Sequence, residues 1–164
     1  MTAGDDKKSA GLSFIRQGWN RPHCNFARTM KKILTTLYWI TRFTAALILL
    51  QTLFFKFSAS EESVYIFTTV GMEPWGRILI GILELMAAVL LVISATAWLG
   101  AGLAIGLMLG AIIMHLTILG IVVMDDSGYL FYLALTVTAC GLFISYYDRE
   151  RIFTALMSVR KKVS

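Results

Sequence analysis

The sequence predicts an all-α membrane protein: a bundle of four transmembrane helices, both termini cytoplasmic, with an amphipathic helix at the C-terminus. Three observations predict it. The 164 residues are 57% hydrophobic and only 15% charged, with a mean hydropathy of +0.72, which does not suit the water-facing surface of a soluble domain of this size. Apolar runs of about 20 residues are almost bare of charge, long enough to cross a hydrocarbon core. The basic residues gather at the two ends of the chain, leaving Arg42, Lys56 and Arg77 in or at the spans and none between Ser58 and Gly76. Acidic Glu61, Glu62, Glu73, Asp125 and Asp126 fall in the opposite loops. By the positive-inside rule both ends are then cytoplasmic, and an even number of spans agrees.

The first segment, residues 1–32, is a cytoplasmic tail. It carries Lys7, Lys8, Arg16, Arg21, Arg28, Lys31 and Lys32, interleaved with Phe14, Ile15, Trp19 and Phe26, while Gly18, Pro22 and Asn25 interrupt any long helix. It lacks the short apolar core and small-residue cleavage site of a secretory signal, so the first span is expected to be an uncleaved anchor. Span one covers about 33–57. Residues 58–75 form the longest connection, in which Val64 to Val70 is apolar enough for a short surface helix. Span two covers about 77–97, a tight turn around Thr96-Ala97-Trp98 follows, and span three covers about 99–124. Asp125-Asp126-Ser127-Gly128 makes an acidic turn into span four, about 129–147. Trp75, Trp98, Tyr129, Tyr146 and Tyr147 fall at span ends, where amphipathic rings suit the headgroup layer. The last segment, 148–164, sets Ile152, Phe153, Leu156, Met157 and Val159 among Arg149, Arg151, Arg160, Lys161 and Lys162 at helical spacing, the pattern of a basic interfacial helix.

Span three holds Gly102, Gly106 and Gly110 at successive i, i+4 positions. These overlapping GxxxG units are expected to pack against another helix of the chain, with a partner or a second copy as the alternative.

Five ionisable residues fall within the spans, where a charge is costly unless it finds a partner, water or the interface. Lys56 and Arg77 are near enough to one surface to snorkel. Glu84 lies about 10 Å along the helix from Arg77 and on nearly the same face. A carboxylate there either takes a proton or pairs with Lys56 or Arg77. His115 enters at a similar depth, so Lys56, Arg77, Glu84 and His115 form a candidate intramembrane polar cluster. Arg42 lies about 20 Å from Lys56, too far for the same ion pair. Its charge is structural, met by backbone carbonyls, the interface or a partner.

Much is excluded. The net charge of +5 flanks spans and meets anionic headgroups, so nucleic acid is not the partner. Cys24 and Cys140 lie in different environments and make no disulfide framework. His23 beside Cys24 completes no metal spacing, and no second histidine in a span joins His115 as a haem ligand. No nucleophile triad, Walker loop or GxGxxG turn occurs, so no catalytic residue is assigned and the chain is not expected to be an enzyme on its own.

The sequence resembles the DoxX family of four-helix bacterial membrane proteins over about residues 33–147. The residues that carry this are Arg42, Phe54-Phe55-Lys56-Phe57, Gly71-Met72-Glu73-Pro74, Gly81-Ile82-Leu83-Glu84-Leu85 and the glycine-rich third span. Gln51-Thr52-Leu53 replaces the glycine often found a turn before the lysine. The resemblance implies a multi-pass subunit in the bacterial inner membrane, associated with a respiratory or redox assembly. Quinol oxidation in some members and thiol or oxidative-stress homeostasis in others make a quinone the small molecule to consider, while no cofactor is held by the chain's own ligands. Membrane lipids, and other subunits met through residues 1–32 and 148–164, are the expected partners. Two other functions stay open: a non-catalytic scaffold docking partner subunits, and a small-molecule transporter or channel.

Overall fold

The computed structural model of the chain describes residues 22–163, and their regular structure is entirely helical. In chain order the elements are α1 (Pro22–Phe57), α2 (Glu61–Thr69), α3 (Trp75–Val92), α4 (Ala97–Met114), a π-helical turn (His115–Leu119), α5 (Tyr129–Tyr147) and α6 (Arg149–Val163). Four stretches are long and apolar enough to cross a membrane: Arg28–Phe57, Trp75–Val92, Ala97–Leu119 and Tyr129–Tyr147. That is the construction of a multi-pass membrane protein.

The chain divides between Leu37 and Tyr38 into two compact units. In the first, the described residues form the opening turns of α1. Phe26, Met30, Ile33, Leu34 and Leu37 are exposed there, and Thr35 Oγ1 donates to the Lys31 carbonyl at 2.9 Å. Contrary to expectation, Asn25 does not interrupt a helix but lies within α1, whose described residues open at Pro22. The expectations for residues 1–21, and for the side chains of His23 and Cys24, fall outside the described residues.

The second unit, from Tyr38 onward, has a core drawn from four helices. Ala45, Ala46 and Leu49 of α1 meet Ala87, Ala88 and Leu91 of α3, Ala101, Ala104 and Met108 of α4, and Ala134, Val137 and Ile144 of α5. Alanine recurs because helices in lipid gain little from apolar transfer and rely on close packing, which small side chains permit. The larger apolar residues, such as Phe54, Leu85, Val89, Ile113, Leu142 and Ile118, stay exposed on the outside.

Connections differ from the expected ones where local chemistry intervenes. α3 stops at Val92 rather than about residue 97, with Ile93 extended at its C-cap, and α4 begins at Ala97. The third apolar run leaves regular helix early, because its end winds into the π-helical turn and stops at Gly120, whose φ of +81° a side chain would resist. α2 occupies Glu61–Thr69, one turn earlier than hydropathy suggests. Ser60 caps it by accepting from the Ser63 N–H at 3.4 Å, and Glu61 and Glu62 stand in its first turn, where the helix dipole favours negative charge.

Close helix contact falls at glycines other than those expected. A Cβ at Gly102, Gly106 or Gly110 would meet nothing within 4 Å among the described residues. One at Gly100 would lie 2.6 Å from the Leu91 backbone nitrogen, and one at Gly141 would lie 2.7 Å from Ile105. The GxxxG ridge therefore makes no helix contact within the described chain, and the tight seams run α3 to α4 at Gly100 and α4 to α5 at Gly141. Gly100→Ala is expected to cost about 1–3 kcal/mol, because the obstacle is backbone that cannot rotate away. Gly102→Ala should be neutral or gain up to about 1 kcal/mol from helix propensity. Unfolding in mixed micelles checks the pair, and equal effects at the two positions would refute this assignment of the seam.

Candidate intramembrane binding site

The site forms where α1 ends and α3 begins. Thr52 and Lys56 are four residues apart on α1 and therefore share a face, which is turned toward Glu84 on α3. Lys56 Nζ donates to Glu84 Oε1 at 3.0 Å and stands 3.0 Å from Oε2. Thr52 Oγ1 donates to Oε2 at 3.3 Å. Glu84 is 2% exposed and the Lys56 side chain 17%, so the pair is desolvated at its acidic end and reaches outward at its basic end. Of the two cations offered by the sequence, Lys56 is the partner of Glu84.

Arg77 is engaged elsewhere. Its Nε donates to Glu73 Oε1 and Oε2 at 2.9 and 3.0 Å, its Nη2 lies 2.8 Å from Oε1, and its Nη1 donates to the Lys56 carbonyl. A planar fork suits this bidentate carboxylate contact. Arg77 thus pins the start of α3 to the last turn of α1 and supports the Lys56 backbone, but it does not join the Lys56–Glu84 pair.

Beside that pair lies a cavity of about 370 Å³. Lys56, Glu84 and His115 all line it, with Thr52, Ser63 and Asp126, while Leu49, Phe67, Met108, Met114, Leu133 and others supply an apolar wall. Gly106 and Gly110 line it too, so the ridge that packs no helix borders this space. Gln51 Nε2 donates to Tyr129 Oη at 3.1 Å, linking α1 to α5 at its edge. His115 is buried, stands edge-on to Phe131 at 5.9 Å between centroids, and places Nδ1 2.9 Å from the Gly120 carbonyl. A carbonyl only accepts, so Nδ1 carries the proton in this contact, which makes Nε2 the acceptor in the neutral tautomer. The same bond spans the π-helical turn and holds it closed.

Asp126 shapes the loop that closes the cavity near His115. Its Oδ1 accepts from the N–H groups of Val123 at 2.9 Å and Gly128 at 2.8 Å, and its Oδ2 from Leu130 at 3.2 Å. This lets Met124, Asp125 and Ser127 hold positive φ between 49° and 60°. Burial pushes the carboxyl up, but the three N–H donors and nearby His115 outweigh it and hold Asp126 below its ordinary value of 3.8. A lowered folded-state pKa gives stability that is complete above the ordinary value and disappears as pH falls through the lower folded one. Asp126→Asn is therefore expected to flatten loss of protection in residues 120–128 below about pH 4, read by hydrogen exchange. An unchanged acid profile would refute the carboxylate's role.

Arg42 lies at the other end of α3, apart from this site. It is 1% exposed. Its Nε donates to the Leu91 carbonyl at 2.7 Å, Nη2 to Val92 at 2.8 Å and Nη1 to Ser94 Oγ at 3.3 Å. The guanidinium also sits 4.3 Å from the Trp39 ring centroid. Of the expected routes, backbone carbonyls are the one taken: Arg42 caps the C-terminus of α3, where unpaired carbonyls and the helix dipole both favour a cation. Nearby, Tyr38 Oη donates to Asp148 Oδ2 at 2.6 Å, and Arg151 donates to the Ser94 carbonyl at 3.0 Å, tying the start of α6 to the α3–α4 turn.

Helical spacing flags Thr52 one turn before Lys56, and an Asp two residues before a glycine flags Asp126 as a turn carboxylate. Ser63 carries no signal, because only the placement of α2 brings it to the cavity. Among the described residues no three His, Cys, Asp or Glu side chains come together as metal ligands do. The site offers instead a charged pair, neutral hydrogen-bonding groups and apolar walls. Comparison with models of protein families, with curated proteins and with solved structures finds no match to this chain.

Proposed function

We propose that this chain is a four-helix subunit of a redox assembly, similar to the DoxX family, and that its cavity seats the ring of a quinone without catalysis by the chain alone. Both ends lie in the cytoplasm of a bacterial cell in this reading, and the spans cross its inner membrane. The observation that carries it is the Lys56–Glu84 pair at the edge of a cavity of about 370 Å³ with largely apolar walls. That volume lies in the usual range for small-molecule sites, in which a few placed polar groups orient a mostly apolar ligand. A quinone has such a form: a ring with polar oxygens at opposite edges and an apolar tail that reaches it through lipid. Lys56 supplies a donor to a ring oxygen, and His115 Nε2 an acceptor for a hydroxyl in the reduced form. The basic ends of the chain support the orientation.

The test is Lys56→Met and Glu84→Gln in the native membrane. Quinol turnover per copy of the chain retained in the assembly is expected to fall. Unchanged turnover with both variants would sink the proposal.

A scaffold role is the second reading. It is favoured by α6, which exposes Phe153 and Met157 on a helix that also carries Arg149, Arg151 and Arg160. In that case partner subunits dock on the ends of the chain, and loss of α6 would release them without altering quinone binding.

A further inference from the structure

His115 is 5% exposed, and its two ring nitrogens are treated differently. Nδ1 is committed to the Gly120 carbonyl at 2.9 Å, while Nε2 has no hydrogen-bond partner among the described residues. A polar atom left unanswered on a buried ring is uncommon and calls for an explanation. Among the described residues, Ser63 Oγ is the one partnerless side-chain atom that protein seals off completely. Nε2 therefore keeps some open surface, and the space that His115 lines is the cavity. An occupant of that cavity can reach it.

The same cavity has room along α4. Gly106 and Gly110 border it one turn apart, and a Cβ at either would meet nothing within 4 Å among the described residues. Two successive turns thus offer bare backbone where side chains would otherwise take up the volume of a ring. The acids nearby are already engaged: Glu84 is held by Lys56 and Thr52, and Asp126 accepts three backbone N–H bonds. What remains is Nε2, which in the neutral ring asks for a donor, and the Lys56 ammonium, which asks for an acceptor. A quinone oxygen only accepts, so it can answer Lys56 but meets Nε2 with lone pair against lone pair. A quinol hydroxyl accepts and donates, so a quinol answers both.

We infer that the cavity is selective for the reduced form of its ligand, and that His115 sets this preference by accepting a hydrogen bond from a quinol hydroxyl at Nε2. The inference rests on the quinone reading of the cavity and goes beyond it in fixing which redox form is held and which residue tells the two apart.

The experiment uses the full chain in lipid nanodiscs without oxygen, with a short-chain benzoquinone, its benzoquinol and the dimethyl ether of that quinol as probes. Affinity per ligand in the lipid is read by calorimetry and by the rise in melting temperature on binding. Quenching of tryptophan fluorescence gives a second reading for the quinone. The parent is expected to hold the quinol about three- to tenfold more tightly than either other probe, the value of one hydrogen bond. His115→Asn keeps an amide N–H at the position of Nδ1 and has no atom at that of Nε2, so quinol and quinone affinities should come within about twofold of each other. A purely structural histidine would lower both affinities together and leave their ratio as in the parent. If His115→Asn does not fold, the ether decides, because an ether bound as tightly as the quinol overturns the inference. If the parent binds quinone as tightly as quinol, or His115→Asn keeps the preference, the inference fails and the quinone reading stands. If the parent binds none of the probes, both fall together.

Discussion

Lys56→Met should destabilise the protein by about 3–5 kcal/mol, the cost of leaving a buried charge without its partner. Glu84 is 2% exposed and has only Thr52 left to bond once the ammonium is gone. It must then remain as a desolvated anion or take up a proton, and either state is worse than the pair. Glu84→Gln should cost less, because the Lys56 side chain is 17% exposed and its flexible stem can carry the charge outward. The asymmetry between the two single variants is the informative result. Combining Lys56→Met with Glu84→Leu should recover most of the lost stability, as replacing both members of a buried pair usually does. Benzoquinone binding should not recover with it. Reversible unfolding in mixed micelles measures the first quantity and fluorescence quenching the second. A double variant that regains both would show that the pair has no part in binding.

Arg42→Met is expected to lose a similar amount, about 3–5 kcal/mol, for a different reason. No ion pair is broken. The variant strands the carbonyls of Leu91 and Val92 at the end of α3 and removes a cation from the negative pole of the helix. Contact with the Trp39 ring is lost as well. Arg42→Lys should restore less than half of the loss, because one ammonium cannot reproduce a fork that reaches two carbonyls and a hydroxyl. The effect should be confined to stability, since Arg42 does not line the cavity. A fall in probe affinity at Arg42→Met under conditions where the protein stays folded would contradict that separation.

The membrane class was legible because it depends on composition and run length, which need no coordinates. Four apolar runs with few charges have no other stable home, and the fourth was bounded at 129–147, where α5 lies. Boundaries slipped where backbone chemistry overrode hydropathy. The third run is apolar through Met124, yet His115 closes on Gly120 and ends the helix before the run ends. The GxxxG spacing misled because a small residue permits close approach without compelling it. The approach occurs at Gly100, where a short turn forces α3 and α4 together.

For the candidate site, charge within a span was the signal the sequence offered. Lys56, Glu84 and His115 do share one cavity, and the cost of an intramembrane charge is what singles them out in the sequence. Spacing left the partner of Glu84 undecided between Lys56 and Arg77. The decision lies with Glu73, which sits four residues before Arg77 and takes its guanidinium away.

By itself, then, the sequence determined that four apolar helices pass through a lipid-like solvent and that each charge among them must be answered. Only the tertiary structure decided how. It gave Glu84 to Lys56, gave Arg42 the end of α3, and brought α2 to the border of the cavity. The physical reason is that transfer into lipid is a property of each segment alone, whereas pairing depends on which segments meet and at what height.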